Sequence, residues 1–191
     1  MDLTGTARGT ENLRYGVSIL NDCKYSSDIK DNEMRLTLVN SPIYADHFAD
    51  QRHATAEVMD QSIQELGYKI VPHAGDWRDA GIVKKACVIN TRVIQVAAIY
   101  HKGPLPKSFC GIRIECNNVI ATVFKKAEDG DGHILRCYET SGFATEAVIK
   151  IPMRGRKWTA SFGKCEIKTF CIPENADEAI PEKNLLEMQN E

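Results

Sequence analysis

A dense polar cluster follows an apolar run near the start of the chain. The run Y-G-V-S-I-L (residues 15–20) is typical of a strand with one buried face. A carboxylate and an ammonium group held beside a core must pair with each other or act on a ligand. Two interpretations follow: an Asp22–Lys24 ion pair beside an Asx-type turn, or the edge of a ligand groove. The cluster directly after the run consists of Asn21, Asp22, Cys23, Lys24 and Tyr25.

A second group of carboxylates lies in the glycine-rich stretch E-D-G-D-G, at Glu128, Asp129 and Asp131. A glycosidase needs two carboxyl groups roughly 5–9 Å apart, and residues this close in a turn can meet that distance by accident. The stretch is also similar to a calcium loop, but Thr140 stands where an EF-hand needs its bidentate Glu. A hairpin turn is the simpler interpretation.

A third candidate is the triplet Asp76-Trp77-Arg78. An indole face suits a pyranose ring, so the triplet could contact a sugar. A helix-capping Asp and a core Trp explain it equally well. No histidine pair has H-x-x-x-H or H-E-x-x-H spacing, and G-x-S-x-G is absent. The five histidines are His47, His53, His73, His101 and His133.

Composition limits the remaining classes. The 191 residues suffice for one good core or two small domains, and the net charge of -2 gives no basic field for nucleic acid or an anionic membrane. No apolar run approaches the roughly 18 residues of a membrane span, and no signal peptide is expected. Seven cysteines without C-x-x-C spacing indicate core thiols in a reducing compartment, so we expect a cytoplasmic protein.

The patterns predict a mainly β protein, an antiparallel β-sandwich with one short helix. We expect a flexible N-terminus (1–12), a sandwich domain (13–172) and an acidic tail (173–191) in which Leu185-Leu186 dock. The other predicted elements are a turn at Asp31-Asn32 before a strand, a long loop over 43–60, a strand stopped by Pro72, a helix from an Asp76 N-cap to about Asn90, an apolar stretch over 93–100, and short strands from Ile112 to Ile172.

Several segments in the same order resemble glycoside hydrolase family 38 α-mannosidases of the cytosolic and bacterial branch. Y-G-V-S-I-L-N-D-C-K-Y looks like a signature of that family. The resemblance extends over residues 13–172. The further matching segments are M-R-L-T-L (34–38) before Ser41-Pro42, P-H-A-G-D-W-R (72–78), A-E-D-G-D-G (127–132) with Leu135-Arg136 and Tyr138-Glu139, and E-I-K-T-F (166–170).

The resemblance implies the C-terminal, supersandwich-like β-sandwich of a retaining exo-α-mannosidase whose zinc-dependent catalytic barrel is absent from this sequence. No catalytic residue, metal ligand or cofactor of this chain is therefore expected, and the chain alone should be inactive. The barrel and mannose-containing oligosaccharides are the implied partners, and homo-oligomers stay open. The residues expected near the carbohydrate are Asn21, Asp22, Lys24, Tyr25, Asp76 and Trp77.

Three departures from the family pattern stand out. Ser26 occupies an expected Gly position, the stretch between Trp158 and Glu166 is shorter than expected, and Met1 falls inside the family's body, as in a split or truncated gene. Three rival functions stay open: a carbohydrate-binding module, a small hydrolase that uses Glu128 with Asp129 or Asp131, and a decayed fragment without a role.

Overall fold

The computed structural model describes residues 2–6, 14–43, 58–130 and 132–189. Their regular structure is mainly antiparallel strand with one α-helix, which confirms the predicted fold class. The chain divides into two compact units, Met1–Val93 and Ile94–Glu191. The predicted boundaries after residues 12 and 172 stay predictions. The elements in chain order are β1 (Asp2–Thr6), β2 (Arg14–Asn21), β3 (Ser27–Lys30), β4 (Glu33–Leu36), β5 (Tyr68–Ala74), α1 (Ile82–Asn90), β6 (Arg113–Ile114), β7 (Val119–Lys126), β8 (His133–Glu139), β9 (Thr145–Ile151), β10 (Arg156–Phe162), β11 (Ile167–Ile172) and β12 (Glu182–Lys183).

The first unit contains an antiparallel sheet of order β1-β2-β5. One face of β2 is buried, as predicted, but it carries Gly16, Ser18 and Leu20, while Val17 and Ile19 of the apolar run are half-buried on the other face. Residues 2–6 form one edge strand and pair with β2, from Asp2 opposite Ser18 to Thr6 opposite Arg14. The prediction that Pro72 stops its strand is wrong, because Pro72 lies inside β5 opposite Val17. A proline is tolerated there because β5 is an edge strand and one side of it needs no ladder hydrogen bonds.

A hairpin and a helix complete the first unit. β3 and β4 pair around the predicted turn at Asp31-Asn32, where Asp31 has a positive φ of 55°. The helix is shorter than predicted: 77–81 forms turns, and α1 begins at Ile82. Ile82, the first residue of α1, is buried, and at the other end the Asn90 Nδ2 donates to the carbonyl of Asn21 at 3.2 Å, so α1 lies against β2.

The second unit is a β-sandwich built from two antiparallel sheets, β10-β9-β6 and β12-β11-β8-β7. Both sheets contribute their inward-facing residues to one core, as two packed layers require. Trp158 packs edge-on against Phe170 at its border, with ring centroids 5.5 Å apart. The buried core residues are Val119, Leu135, Cys137, Ala147, Ile149, Ile151, Ala160, Phe162, Phe170 and Ile172.

Two details of the second unit differ from expectation. Leu185 and Leu186 are exposed, and Ile180 packs against the core instead, so the predicted docking of the leucine pair is wrong. Cys137 is buried as expected, and burial raises its pKa to about 12, but Cys110 and Cys165 are exposed.

Residues 44–57 of the predicted long loop, with His47 and His53, lie outside the described residues. In the described part of the chain, no helix is long and apolar enough to cross a membrane.

Candidate functional site

Two adjoining grooves of the first unit contain all six residues that were predicted to lie near carbohydrate. The larger groove has a volume of about 850 Å³, and the smaller one about 350 Å³. Ile19 and Asn21 line both, so the grooves meet at the end of β2. The larger groove includes Asp76 and Trp77, and the smaller includes Asp22, Lys24 and Tyr25.

The bend after β2 positions the residues of the smaller groove. Asn21 is the last residue of β2, and its Oδ1 accepts a hydrogen bond from the backbone N–H of Lys24 at 2.8 Å. This side-chain acceptor turns the chain out of the sheet. The bond spans three residues, one more than in the Asx-type turn expected from the sequence.

Asp22 and Lys24 do not form the predicted ion pair. The Asp22 carboxylate accepts from the backbone N–H of Gly67 at 3.0 Å, and this hydrogen bond holds the pKa of Asp22 below its usual range. The Lys24 Nζ donates instead to the Oε1 of Gln64 at 3.1 Å. The segment before β5 therefore supplies the partners of both side chains.

Cys23 and Tyr25 differ in what they offer a ligand. The neighbouring Asp22 carboxylate raises the pKa of the Cys23 thiol, so the thiol stays protonated and is a poor nucleophile. The side chain of Tyr25 is 94% exposed and presents an aromatic surface at the groove rim. Hydrogen-bonding groups beside an exposed aromatic ring suit a polyhydroxylated ligand.

In the larger groove, Asp76 organises a turn. Its Oδ1 accepts from the backbone N–H groups of Asp79 at 3.1 Å and Arg78 at 2.7 Å, and these bonds, the one from Asp79 most of all, lower the pKa of Asp76. Its Oδ2 lies 3.1 Å from the Arg78 guanidinium. The guanidinium stacks 4.4 Å from the centre of the Trp77 ring and covers one part of the indole surface. Asp76 therefore caps the turn over 77–81, and the prediction that it caps α1 directly is wrong.

The acidic turn of the second unit connects β7 and β8, as the hairpin interpretation expected. Glu128 forms an ion pair with Lys125, and Asp129 lies 3.2 Å from the Lys183 Nζ. Asp131 lies outside the described residues. The two described carboxylates thus already have lysine partners at the protein surface.

The described histidines occupy separate places. His73 bonds to Ser18 at 3.0 Å, His133 stacks on Phe124 at 5.3 Å, and His101 is exposed. Within the described ranges, no group of three or more His, Cys, Asp or Glu side chains could hold a metal ion.

Glu139 is a buried carboxylate that the sequence analysis did not single out. It is only 1% exposed, and hydrogen bonds from surrounding groups lower its pKa against the opposing effect of burial. It connects three segments that leave the strands at one end of the sandwich. Glu139 lies on the same face of β8 as the buried Leu135 and Cys137. A carboxylate at an inward-facing position of a strand is the feature of the sequence that could have identified it. Its donors are the Asn118 side chain at 2.8 Å and the backbone N–H groups of Ser141 at 2.7 Å, Gly142 at 2.8 Å, Phe143 at 3.3 Å and Cys165 at 2.9 Å.

Two family models match this chain, one in each unit. Residues 7–48 match the "Glycosyl hydrolases family 38 C-terminal domain", and residues 118–161 match the "Glycosyl hydrolases family 38 C-terminal beta sandwich domain". The second match covers β7 to β9 and most of β10, which belong to the sandwich.

Curated relatives agree with these matches. The chain is 27% identical over 151 residues to Alpha-mannosidase G of Dictyostelium discoideum, which covers 73% of this chain and 12% of the relative. It is 29% identical over 133 residues to Alpha-mannosidase 2C1 of Mus musculus, with 67% of this chain and 12% of the relative covered. It is 43% identical over 60 residues to Alpha-mannosidase of Saccharomyces cerevisiae, and this alignment covers 31% of this chain and 5% of the relative. No solved structure matches.

Both units thus carry a segment similar to C-terminal domains of the family 38 glycosyl hydrolases, as the resemblance of the motifs predicted. The chain spans about one eighth of the length of the first two relatives, since 12% of each is covered.

Proposed function

We propose that this chain is the C-terminal β region of an α-mannosidase. Joined to a catalytic barrel, it would support the hydrolysis of terminal α-mannosidic bonds in oligosaccharides. Alone, it would be inactive. Its role would be to pack beside the barrel and to form one wall of the sugar site, because small displacements of catalytic groups cost rate.

The observation that supports this proposal is an apolar sheet face directly beside the two grooves. In the β2–β5 ladder Ile19 lies opposite Ile70, and Asn21 lies opposite Tyr68, so these four side chains share one face. Tyr68 and Ile70 are 57% and 60% exposed. An exposed apolar face suits contact with another domain, and the polar groove at its border suits sugar hydroxyls.

The first test is turnover of an aryl α-mannoside by the purified chain, with and without added zinc or cobalt. We expect none. Addition of the catalytic region of a family 38 α-mannosidase should then give more turnover than that region alone. Ile70→Lys on the exposed sheet face should reduce this gain, and Ile63→Lys, at a 91% exposed position away from the ladder, should leave it unchanged.

Two outcomes would contradict the proposal. Turnover by the chain alone that survives stringent purification would favour the small-hydrolase alternative, which Glu128→Gln would then test. If addition of the chain never changes the activity of the catalytic region, the proposed supporting role is wrong.

A second candidate function is carbohydrate binding without chemistry, favoured by the exposure of Tyr25 beside Asn21, Asp22 and Lys24. It requires saturable binding of a mannose-rich oligosaccharide in calorimetry. Tyr25→Ala and Trp77→Ala should weaken that binding. Tyr100→Ala, at a similarly exposed tyrosine of the second unit, should not.

We also propose a cytoplasmic location. All seven cysteines are free thiols, three of them exposed, and exposed thiols persist best in a reducing compartment. Detection of an intermolecular disulfide in the protein isolated from cells under alkylating conditions would count against this location.

A further inference from the structure

A further groove of the first unit lies between α1 and the edge strand β5, with a volume of about 380 Å³. Lys69 lies opposite Leu20 in the β2–β5 ladder, so the two side chains share one face of the sheet, and Val71 follows on the same face. Because α1 packs on β2, it leaves this face of β5 open beside it. We call this the lysine groove, and its described lining residues are Leu20, Lys69, Val71, Lys84, Lys85, Val88 and Ile89.

Four of the lining side chains are aliphatic. Leu20 is buried, Val71 and Ile89 are half-buried, and Val88 is 76% exposed on the wall that the helix forms. An apolar ligand that covers these side chains would remove aliphatic surface from water, which is favourable. The helix residues that line the larger groove lie on a different side of α1. They are Ile82, Val83 and Ala86.

The remaining lining residues are lysines, and none of the described lining residues is acidic. Lys69 comes from the strand, and Lys84 and Lys85 come from the helix. Lysine stems lie along apolar surface while the ammonium groups stay at the boundary with water. The Lys85 Nζ donates to the Ala80 carbonyl at 2.8 Å, and this bond uses one of the three N–H donors of the ammonium group. Three positive charges around an aliphatic surface attract an anionic ligand and repel a cationic one.

We propose that the lysine groove binds a small anionic amphiphile from solution, a carboxylate on an aliphatic body. Its volume lies within the range of small-molecule sites, roughly 300–1,000 Å³, and such sites are mostly apolar with a few polar groups that fix the orientation of the ligand. A protein partner would need about 20–30 residues on each side, so the size of the groove favours a small molecule. The proposal is independent of the proposed function.

The experiment is an NMR titration of the full chain with octanoate, followed through the backbone amides. Saturable shifts should fall on residues 69–71 and 84–89, which line the groove. Acetate carries the same head without the aliphatic body, and octylammonium carries the same body with the opposite charge. Neither of these two probes should give saturable shifts at those residues.

Substitutions then separate the charged part of the groove from its apolar part. Lys69→Gln should weaken octanoate binding about two- to fivefold, as expected for one exposed ion pair, and adding Lys84→Gln should weaken it further. Val88→Asp replaces an exposed aliphatic side chain by a like charge and should abolish binding. Lys30→Gln, on the exposed strand β3 outside the groove, is the matched control and should bind like the unsubstituted chain.

Four outcomes would overturn the proposal. The first is the absence of saturable shifts with octanoate, and the second is a set of shifts centred outside the groove. The third is equal binding of acetate or octylammonium, which would mean an adventitious ion only or a site without charge selection. The fourth is octanoate binding that neither Lys69→Gln with Lys84→Gln nor Val88→Asp weakens. All four concern the lysine groove alone, so the proposed function would stand.

Discussion

Asp22, which lines the smaller groove, and Gly67 are joined by two hydrogen bonds. The backbone N–H of Gly67 donates to the Asp22 carboxylate at 3.0 Å, and the backbone N–H of Asp22 donates to the Gly67 carbonyl at 3.2 Å. A Cβ atom at position 67 would lie 2.8 Å from the Oδ2 of Asp22. The absence of a side chain at Gly67 therefore permits this orientation of the carboxylate.

Gly67→Ala should displace the Asp22 carboxylate and weaken the hydrogen bond from residue 67. Because that bond is the main cause of the lowered pKa of Asp22, the pKa should rise toward its ordinary value, as measured by NMR titration of the carboxyl carbon. Gly103→Ala is the control, since its nearest neighbour is 3.9 Å away. An unchanged pKa of Asp22 in Gly67→Ala would show that the hydrogen bond from residue 67 is not what lowers this pKa.

Glu139→Ala should strongly destabilise the second unit. The substitution leaves five hydrogen-bond donors around a buried site without their acceptor, and we expect a loss of about 2–4 kcal/mol in the free energy of unfolding. The free energy of unfolding is measured by urea denaturation, monitored through the fluorescence of Trp158. Trp77 is replaced by Phe in all proteins compared, so that Trp158 gives the signal. Glu146→Ala on the exposed side of β9 is the matched control and should change the stability little. A loss below about 1 kcal/mol for Glu139→Ala would contradict the role assigned to the carboxylate.

The stability of the second unit should also fall in acid because of Glu139. Its pKa is lower in the folded state than in the unfolded chain, so its contribution is fully present above the unfolded-state value of about 4.3 and is lost as the pH falls through the folded-state value. Glu139→Gln cannot ionise, and its stability should therefore vary less between pH 6 and pH 3. Equal pH slopes for the two proteins would assign the acid sensitivity to the other, more exposed carboxyl groups.

The second unit was more predictable from sequence than the first because its strands alternate clearly. From Leu135 onward in β8, and in β9, inward-facing residues such as Cys137 and Ile149 alternate with partly exposed ones. The turn between β7 and β8 carries its own Asp and Gly signals. β5 was harder, because Pro72 normally ends a strand, and only its place at a sheet edge makes the proline acceptable.

The candidate site was predictable as a set of residues but not as a set of contacts. The six residues expected near carbohydrate line two adjoining grooves, and their contact with a sugar stays a prediction. They are Asn21, Asp22, Lys24, Tyr25, Asp76 and Trp77. The partners of Asp22 and Lys24, however, come from the segment before β5, about 40 residues further on. Such long-range pairing is decided by tertiary packing, so sequence spacing favoured the nearer and incorrect Asp22–Lys24 pair.

The turn between β7 and β8 contains two glycines, Gly130 and Gly132. Replacing each by Ala separates two causes of lost stability, a steric clash and an unfavourable backbone conformation. Both have a positive φ, 83° and 80°, but a Cβ at Gly132 would collide with the Ile172 carbonyl and lie 2.9 Å from the Pro173 Cα, whereas nothing lies within 4 Å of one at Gly130. Gly130→Ala should lower the free energy of unfolding by about 1–2 kcal/mol through backbone strain alone. Gly132→Ala should cost a further 1–3 kcal/mol or so, because rigid backbone must move apart between β8 and β11. Thermal and urea unfolding of the two variants measure the difference, and equal losses would mean that residues 172–173 do not press against Gly132 as the structure has them.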